Sequence, residues 1–179
     1  GKKIVDPGGL ALPIGEQGQI AIKGPNVMLG YFRRPEETAK VMRDGWFLTG
    51  DIGKRDHDSH FYLVDRAKDM INVSGFKVWP REVEEVLLQH PSVSEVGVIG
   101  VADPVSGEAV KAFAVLKRGE SIRERDLIDY ARGRIAVYKA PRFVEFIDAL
   151  PRNPAGKVLK RELRARANIS ENAASIRVA

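Results

Sequence analysis

The chain contains no cysteine, which excludes disulfides, thiolate nucleophiles and cysteine-ligated metals. Its three histidines, His57, His60 and His90, lack the spacing of a helical ligand pair, so a structural zinc site is not expected. No apolar run approaches the roughly 20 residues that cross a bilayer. The opening GKKIVDPGG has the composition of neither a signal nor a transit peptide, so a soluble, cytoplasmic protein without a transmembrane segment is expected, with peripheral membrane contact left open. Aromatic residues make up only 7%, and none stands among the basic residues near the C-terminus, where base stacking would need them. Internal repeats and low-complexity segments are also absent.

What is present is an ordinary globular composition: 179 residues, 44% hydrophobic, enough to bury a core. The net charge of +5 is local. Residues 151–166 hold Arg152, Lys157, Lys160, Arg161, Arg164 and Arg166 against the single acid Glu162, which leaves the remaining chain neutral. A basic terminus of this kind suits a phosphate-bearing small molecule at least as well as a nucleic-acid polymer.

Residues 1–17 read as loop, with a short strand at most, because Gly and Pro recur. QIAIK is a β run, and Pro35 with Glu36 and Glu37 opens a helix to about Asp44, with Ala39 and Met42 inward. GWFLTGD is a strand ending at Thr49-Gly50-Asp51, and 52–56 with 61–65 form a hairpin. A second hairpin surrounds Ser74-Gly75. Pro80 then opens a helix with a Val83, Val86, Leu87 stripe, followed by β runs at 93–101 and 109–116. Ser121 and Glu124 predict a capping box for a helix that continues past Gly133, and 142–147 is a strand. A basic helix then runs from Val158 to about Ala167. Residues 69–167 thus give β-β-α-β-β-α-β-α, an α+β fold, whereas residues 1–66 have too many strands and too few helices to close a core of their own.

Several positions invite chemistry, each with a plainer alternative. Asp51 beside Gly50 would suit two vicinal hydroxyls or merely a turn. Arg66, flanked by Asp65 and Asp69, is a phosphate or hydroxyl donor or a local ion-pair partner. Lys68 marks a change of composition and is either a pivot or a surface lysine. Gly75, in Ser74-Gly75-Phe76, satisfies a tight turn or bares the backbone for a slender ligand. Lys157 lies in PRNPAGK, a loop fixed by two prolines and a glycine, and is a positioned cation or a solvated one. GK followed by Val158 is not a Walker loop, which needs Ser or Thr there.

Four ordered motifs, GYFRRPEET, GWFLTGD, VDRAKDMINVSGFKVWPREVEEVL and PRNPAGKVLKREL, together resemble the adenylate-forming superfamily of AMP-forming acyl-CoA synthetases. VSGFKVWPREVEEVL and EAVKAFAV look most like bacterial long-chain fatty acyl-CoA ligases. The resemblance covers roughly residues 15–166. It implies ATP, magnesium and coenzyme A as cofactors, a fatty acid as substrate, and a small C-terminal domain that rotates between two half-reactions. By the same resemblance Asp51 and Arg66 would hold the AMP ribose, Lys68 would be the hinge and Lys157 the catalytic cation of adenylation. Ser74, Gly75 and Phe76 would border the coenzyme A pantetheine passage. Residues 1–67 would then end a truncated large domain, 68–168 form the C-terminal cap domain with a short mixed sheet and three helices, and 169–179 a flexible tail. The phosphate loop, the metal-binding glutamate and the acyl pocket are absent, so the fragment alone should not turn over. A glycine common in the family at the hairpin turn is replaced by Ser59-His60, and Asn72 stands where some relatives carry a lysine. Two other readings are an adenylating enzyme that loads a carrier protein and a basic nucleic-acid-binding module.

Overall fold

The computed structural model describes the backbone of residues 1–176 and the side chains of residues 1–168. The chain divides into two compact units, Gly1–Lys68 and Asp69–Ala179, parting next to the expected hinge Lys68.

The first unit is β-rich. Strands β1 (Lys2–Val5), β2 (Gly18–Ile22), β3 (Met42–Arg43), β4 (Trp46–Arg55) and β5 (Phe61–Arg66) form one antiparallel sheet in which β4 pairs with β2, β3 and β5. Helix α1 (Pro35–Val41) follows a proline at its first turn as expected, but it ends earlier than Asp44 and buries no residue. Met42 has instead left the helix for β3, since its extended backbone (φ −111, ψ 123) pairs with Phe47. Ser59, in the turn between β4 and β5, takes the left-handed conformation (φ 66).

A 3-10 turn, Ala67–Asp69, leads into the second unit. Its elements are β6 (Ile71–Val73), β7 (Phe76–Val78), α2 (Pro80–Leu87), β8 (Val93–Asp103), β9 (Gly107–Leu116), α3 (Glu124–Arg132), β10 (Phe143–Phe146) and α4 (Lys160–Ile176). This is the predicted order. The sheet is mixed: β9 pairs antiparallel with β8 and parallel with β10, the parallel pair being joined through α3.

Alternation along the central strands decides the packing. Val96, Val98, Val110, Ala112 and Ala114 point to one face with Val83 and Leu87 of α2 and Leu127 and Ala131 of α3. Ile99, Val101, Ala109 and Phe113 point to the other, with Leu163 and Ala167 of α4. Because both faces are covered, β8 and β9 read as near-continuous apolar runs. Gly97 lets α4 approach: a Cβ there would stand 2.8 Å from Leu163 Cδ1 and 3.2 Å from Leu150 Cδ2.

Two helix ends differ from expectation. The box at the start of α3 is made by Asp126, which accepts the Arg123 backbone N–H at 3.2 Å and its guanidinium at 2.7 Å, so the predicted Ser121–Glu124 box is replaced. Gly133 ends α3 rather than lying inside it. Helix α4 runs past Ala167 to Ile176. The expected tail, 169–179, therefore begins within α4, and its side chains, with all of 177–179, lie outside the described residues.

One inward position on the α4 face of β9 is charged. Lys111 is buried and meets Glu145 of β10 at 2.9 Å, while Arg166 of α4 reaches the other Glu145 oxygen at 2.6 Å. Burial alone would raise the Glu145 carboxyl, but hydrogen bonds from Arg166 and Lys111 outweigh it and hold the group below its usual 4.5. A buried lysine is tolerated here because it is paired directly with a carboxylate.

Leu163→Ala should cost about 2–5 kcal/mol in chemical denaturation, since the leucine fills the space that Gly97 leaves open; a loss below about 1 kcal/mol would contradict this packing. The depressed Glu145 carboxyl contributes stability that is present above the unfolded value and is lost as pH falls through the lower folded one. The stability gap between the parent and Glu145→Gln should accordingly shrink below about pH 4.5. A gap independent of pH would refute the assignment.

Candidate functional site

Thr49-Gly50-Asp51 does not end a strand, contrary to expectation: β4 continues through it to Arg55. Gln19 pairs with Ile52 and Ala21 with Leu48, so three residues of β4 stand opposite Ile20 alone. Gly50 takes a left-handed φ of 76, as a bulge of this kind demands, and the Thr49 hydroxyl donates to the Ile20 carbonyl at 2.9 Å. The same Thr49 oxygen accepts the Asp51 N–H at 3.1 Å, so the local turn is closed by threonine. The bulge aims Asp51 at Arg66, its register partner on β5. Their side chains meet at 3.0 Å, Nε to Oδ1, with Asp51 30% exposed. The two residues of the expected ribose clamp are thus brought together.

Immediately beyond Arg66 the chain reaches Lys68, exposed, and then Asp69, which is buried. Asp69 Oδ1 accepts from Arg164 of α4 at 2.9 Å. Sequence reading treated Asp69 only as a flank of Arg66 and missed this anchor, because its partner lies 95 residues away. Two ion pairs therefore bracket Ala67 and Lys68, one within each unit.

The basic stretch is largely neutralised from within. Arg152 pairs with Glu95, Lys160 with Glu84, Arg161 with Glu162, Arg164 with Asp69 and Arg166 with Glu145. Among the described residues Lys157 alone of the six basic residues has no ion pair. Its loop is pinned: the Asn153 side chain accepts the Lys157 N–H at 2.9 Å, and Asn153 N–H donates back to the Lys157 carbonyl at 3.0 Å. Arg152 donates to the Gly156 carbonyl at 2.6 Å. An exposed ammonium thus stands on a rigid base. With its neighbours committed, the stretch presents one available cation in place of a basic stripe, which is poor footing for a nucleic-acid backbone.

Ser74 and Gly75 form the expected two-residue hairpin turn. Both are left-handed, φ 51 and φ 88, the geometry that matches the twist of β6 and β7. Ser74, Gly75 and Phe76 are exposed, and a Cβ on Gly75 would meet nothing within 4 Å. The Phe76 ring lies 4.8 Å from that of Tyr138, a neighbour no local pattern announced. No hydrogen bond joins this turn to the Lys157 loop among the described residues.

Asp56, Asp58 and His60 offer ligand atoms within 4.8 Å of one another at the exposed turn before β5. Asp56 already accepts the Tyr62 hydroxyl at 2.7 Å and the His60 N–H at 2.9 Å. The Tyr62 hydrogen bond is the main cause that lowers the Asp56 carboxyl, and it raises the Tyr62 phenol in turn.

Residues 82–157 match the AMP-binding enzyme C-terminal domain. The chain is 49% identical over 158 residues to the long-chain-fatty-acid–CoA ligase of Bacillus subtilis, covering 88% of this chain and 28% of that protein. It is 48% identical over 164 residues to a feruloyl-CoA synthase of an Amycolatopsis species, covering 92% and 33%. Among solved structures, ATP-bound MatB from Rhodopseudomonas palustris superposes with a TM-score of 0.89 at 41% identity, over 93% of this chain and 33% of that one. The o-succinylbenzoate CoA synthetase of Bacillus subtilis, in complex with its acyl-adenylate, gives a TM-score of 0.83 at 38% identity, over 92% and 33%. The chain spans no more than a third of the length of these relatives. Residues 82–157 thus carry the AMP-binding enzyme C-terminal domain within an α+β unit of three helices and a mixed sheet, and over about nine-tenths of its length the chain is similar to acyl-CoA ligases and synthetases.

Proposed function

We propose that the protein carrying this chain is an ATP-dependent fatty acid:CoA ligase acting in the cytoplasm. It forms an acyl-adenylate with release of pyrophosphate and then passes the acyl group to the thiol of coenzyme A. The observation that carries this reading is Lys157, a cation without a carboxylate partner among the described residues, held on a pinned loop in a stretch whose other cations are all paired. Attack of a carboxylate on an α-phosphate brings two anions together, and a pre-positioned ammonium lowers that barrier by neutralising charge and orienting the oxygens.

The remaining residues take roles that their surroundings suit. Arg66 holds Asp51 Oδ1, so the second carboxylate oxygen is left for the two hydroxyls of a ribose. Lys68, between the anchors Arg66 and Asp69, is the residue whose backbone can turn without breaking either ion pair. The bare backbone at Gly75, flanked by Ser74 and Phe76, borders the passage of the pantetheine arm. ATP enters as its magnesium complex. The grouping at Asp56, Asp58 and His60 does not suit that metal, since Asp56 is already committed to Tyr62 and the His60 amide.

In the full-length protein Lys157→Ala should lower acyl-adenylate formation by about 10² to 10³, while thioester formation from supplied acyl-adenylate is spared. Equal loss in both half-reactions would defeat the assigned role. Gly75→Leu should show the reverse selectivity. Its local cost includes strain of about 1–3 kcal/mol at φ 88, while a Cβ there would meet nothing within 4 Å. An unimpaired thioester step with Leu at position 75 would remove the turn from the passage.

A further inference from the structure

The Ser74–Gly75 turn has almost no packing of its own: its residues are exposed, and a Cβ at Gly75 would touch nothing. Its position is set by hydrogen bonds to the loop between β8 and β9. The Ser74 N–H donates to the Ser106 carbonyl at 2.8 Å, Val73 pairs with Gly107, and the Asn72 N–H donates to Glu108 Oε2 at 2.7 Å. The Asn72 side chain in turn accepts the Gly75 N–H at 2.9 Å. The turn therefore hangs on residues 106–108.

That loop is organised by one buried carboxylate. Asp103 Oδ1 accepts the N–H of Val105 at 3.0 Å and of Ser106 at 2.8 Å, and the Ser106 hydroxyl lies 2.9 Å away. Asp103 Oδ2 accepts from Arg142 at the start of β10. Hydrogen bonds from the Ser106 N–H and hydroxyl are the leading causes that hold the Asp103 carboxyl below its ordinary value despite burial, so it stays ionised at neutral pH.

We infer that Asp103 is a positioning residue for the Ser74–Gly75 turn, fixing through Ser106 where that turn stands. The inference rests on the thioester-forming role proposed for the turn. Asp103 touches no reacting group; it orients the loop whose carbonyl holds Ser74. Without it the Val105 and Ser106 N–H groups lose their acceptor, and the Ser106 carbonyl is free to rotate away from Ser74.

The test uses the full-length protein, with each half-reaction assayed separately and amide hydrogen exchange followed residue by residue. Asp103→Ala should slow thioester formation from supplied acyl-adenylate by about 10- to 100-fold, the scale of an ångström-sized misplacement, and leave adenylate formation within about threefold. Asp103→Asn, which keeps an acceptor but loses the charge facing Arg142, should fall between the parent and the alanine variant. Arg142→Gln should act in the same direction more weakly, and these two milder variants carry the test if the alanine variant does not fold. In each, the Ser74 amide should exchange faster while the buried Val98 and Ala112 amides keep their protection. Unchanged Ser74 exchange, or equal damage to both half-reactions, would overturn the inference. A parent protein that makes no thioester with coenzyme A would instead defeat the functional reading, and Ser74 exchange would still judge the role of Asp103.

Discussion

The antiparallel ladder between β8 and β9 is the constraint on which the second unit depends. Ten register pairs run from Val93–Leu116 to Asp103–Gly107, and side chains alternate along both strands, so two apolar faces must be covered at once. Helices α2 and α3 take one face and α4 the other. Burying side chains of this size contributes roughly 1.5–3 kcal/mol each, which exceeds what the exposed ion pairs supply at about 0–1 kcal/mol. The charges therefore do not hold the unit together so much as decide where its ends lie.

Those ends carry the two loops given roles in the proposed reaction. At one end of the ladder the Asp103–Gly107 loop holds the Ser74–Gly75 turn, and on the α4 face the chain from Leu150 to Leu163 presents Lys157. The apolar core fixes the elements that flank each loop, while hydrogen bonds fix the loop itself. Such a division suits a site that must be precise in geometry and open to a ligand, because a loop held by apolar packing would have to be buried.

Much of this was legible in the sequence, and the exceptions share one cause. The order of strands and helices followed from alternation and from Pro80, signals that lie within a few residues of what they govern. Thr49-Gly50-Asp51 was misread as a strand end because its bulge is defined against Ile20, 29 residues earlier. Asp69 looked like a local partner of Arg66, yet it binds Arg164. The box of α3 went to Arg123 and Asp126 although Ser121 and Glu124 have the same spacing, since Asp126 engages both the backbone and the guanidinium of Arg123. Lys157 was visible as a candidate, but its distinction is that the cations around it are paired, and only the folded chain supplies those partners.

The spacing of the two anchors gives the joint its character. Arg66 is tied to β4 through Asp51, and Asp69 is tied to α4 through Arg164, which leaves two residues between them. A longer linker would let many orientations compete, and each doubling of its length adds about 0.6 kcal/mol of closure entropy. Two residues offer only four soft dihedrals, so a change of orientation at this point is restricted to few outcomes. The turning proposed at Lys68 would require a joint with few outcomes, and the ion pairs on either side of Ala67 and Lys68 are placed to supply that restriction without adding residues.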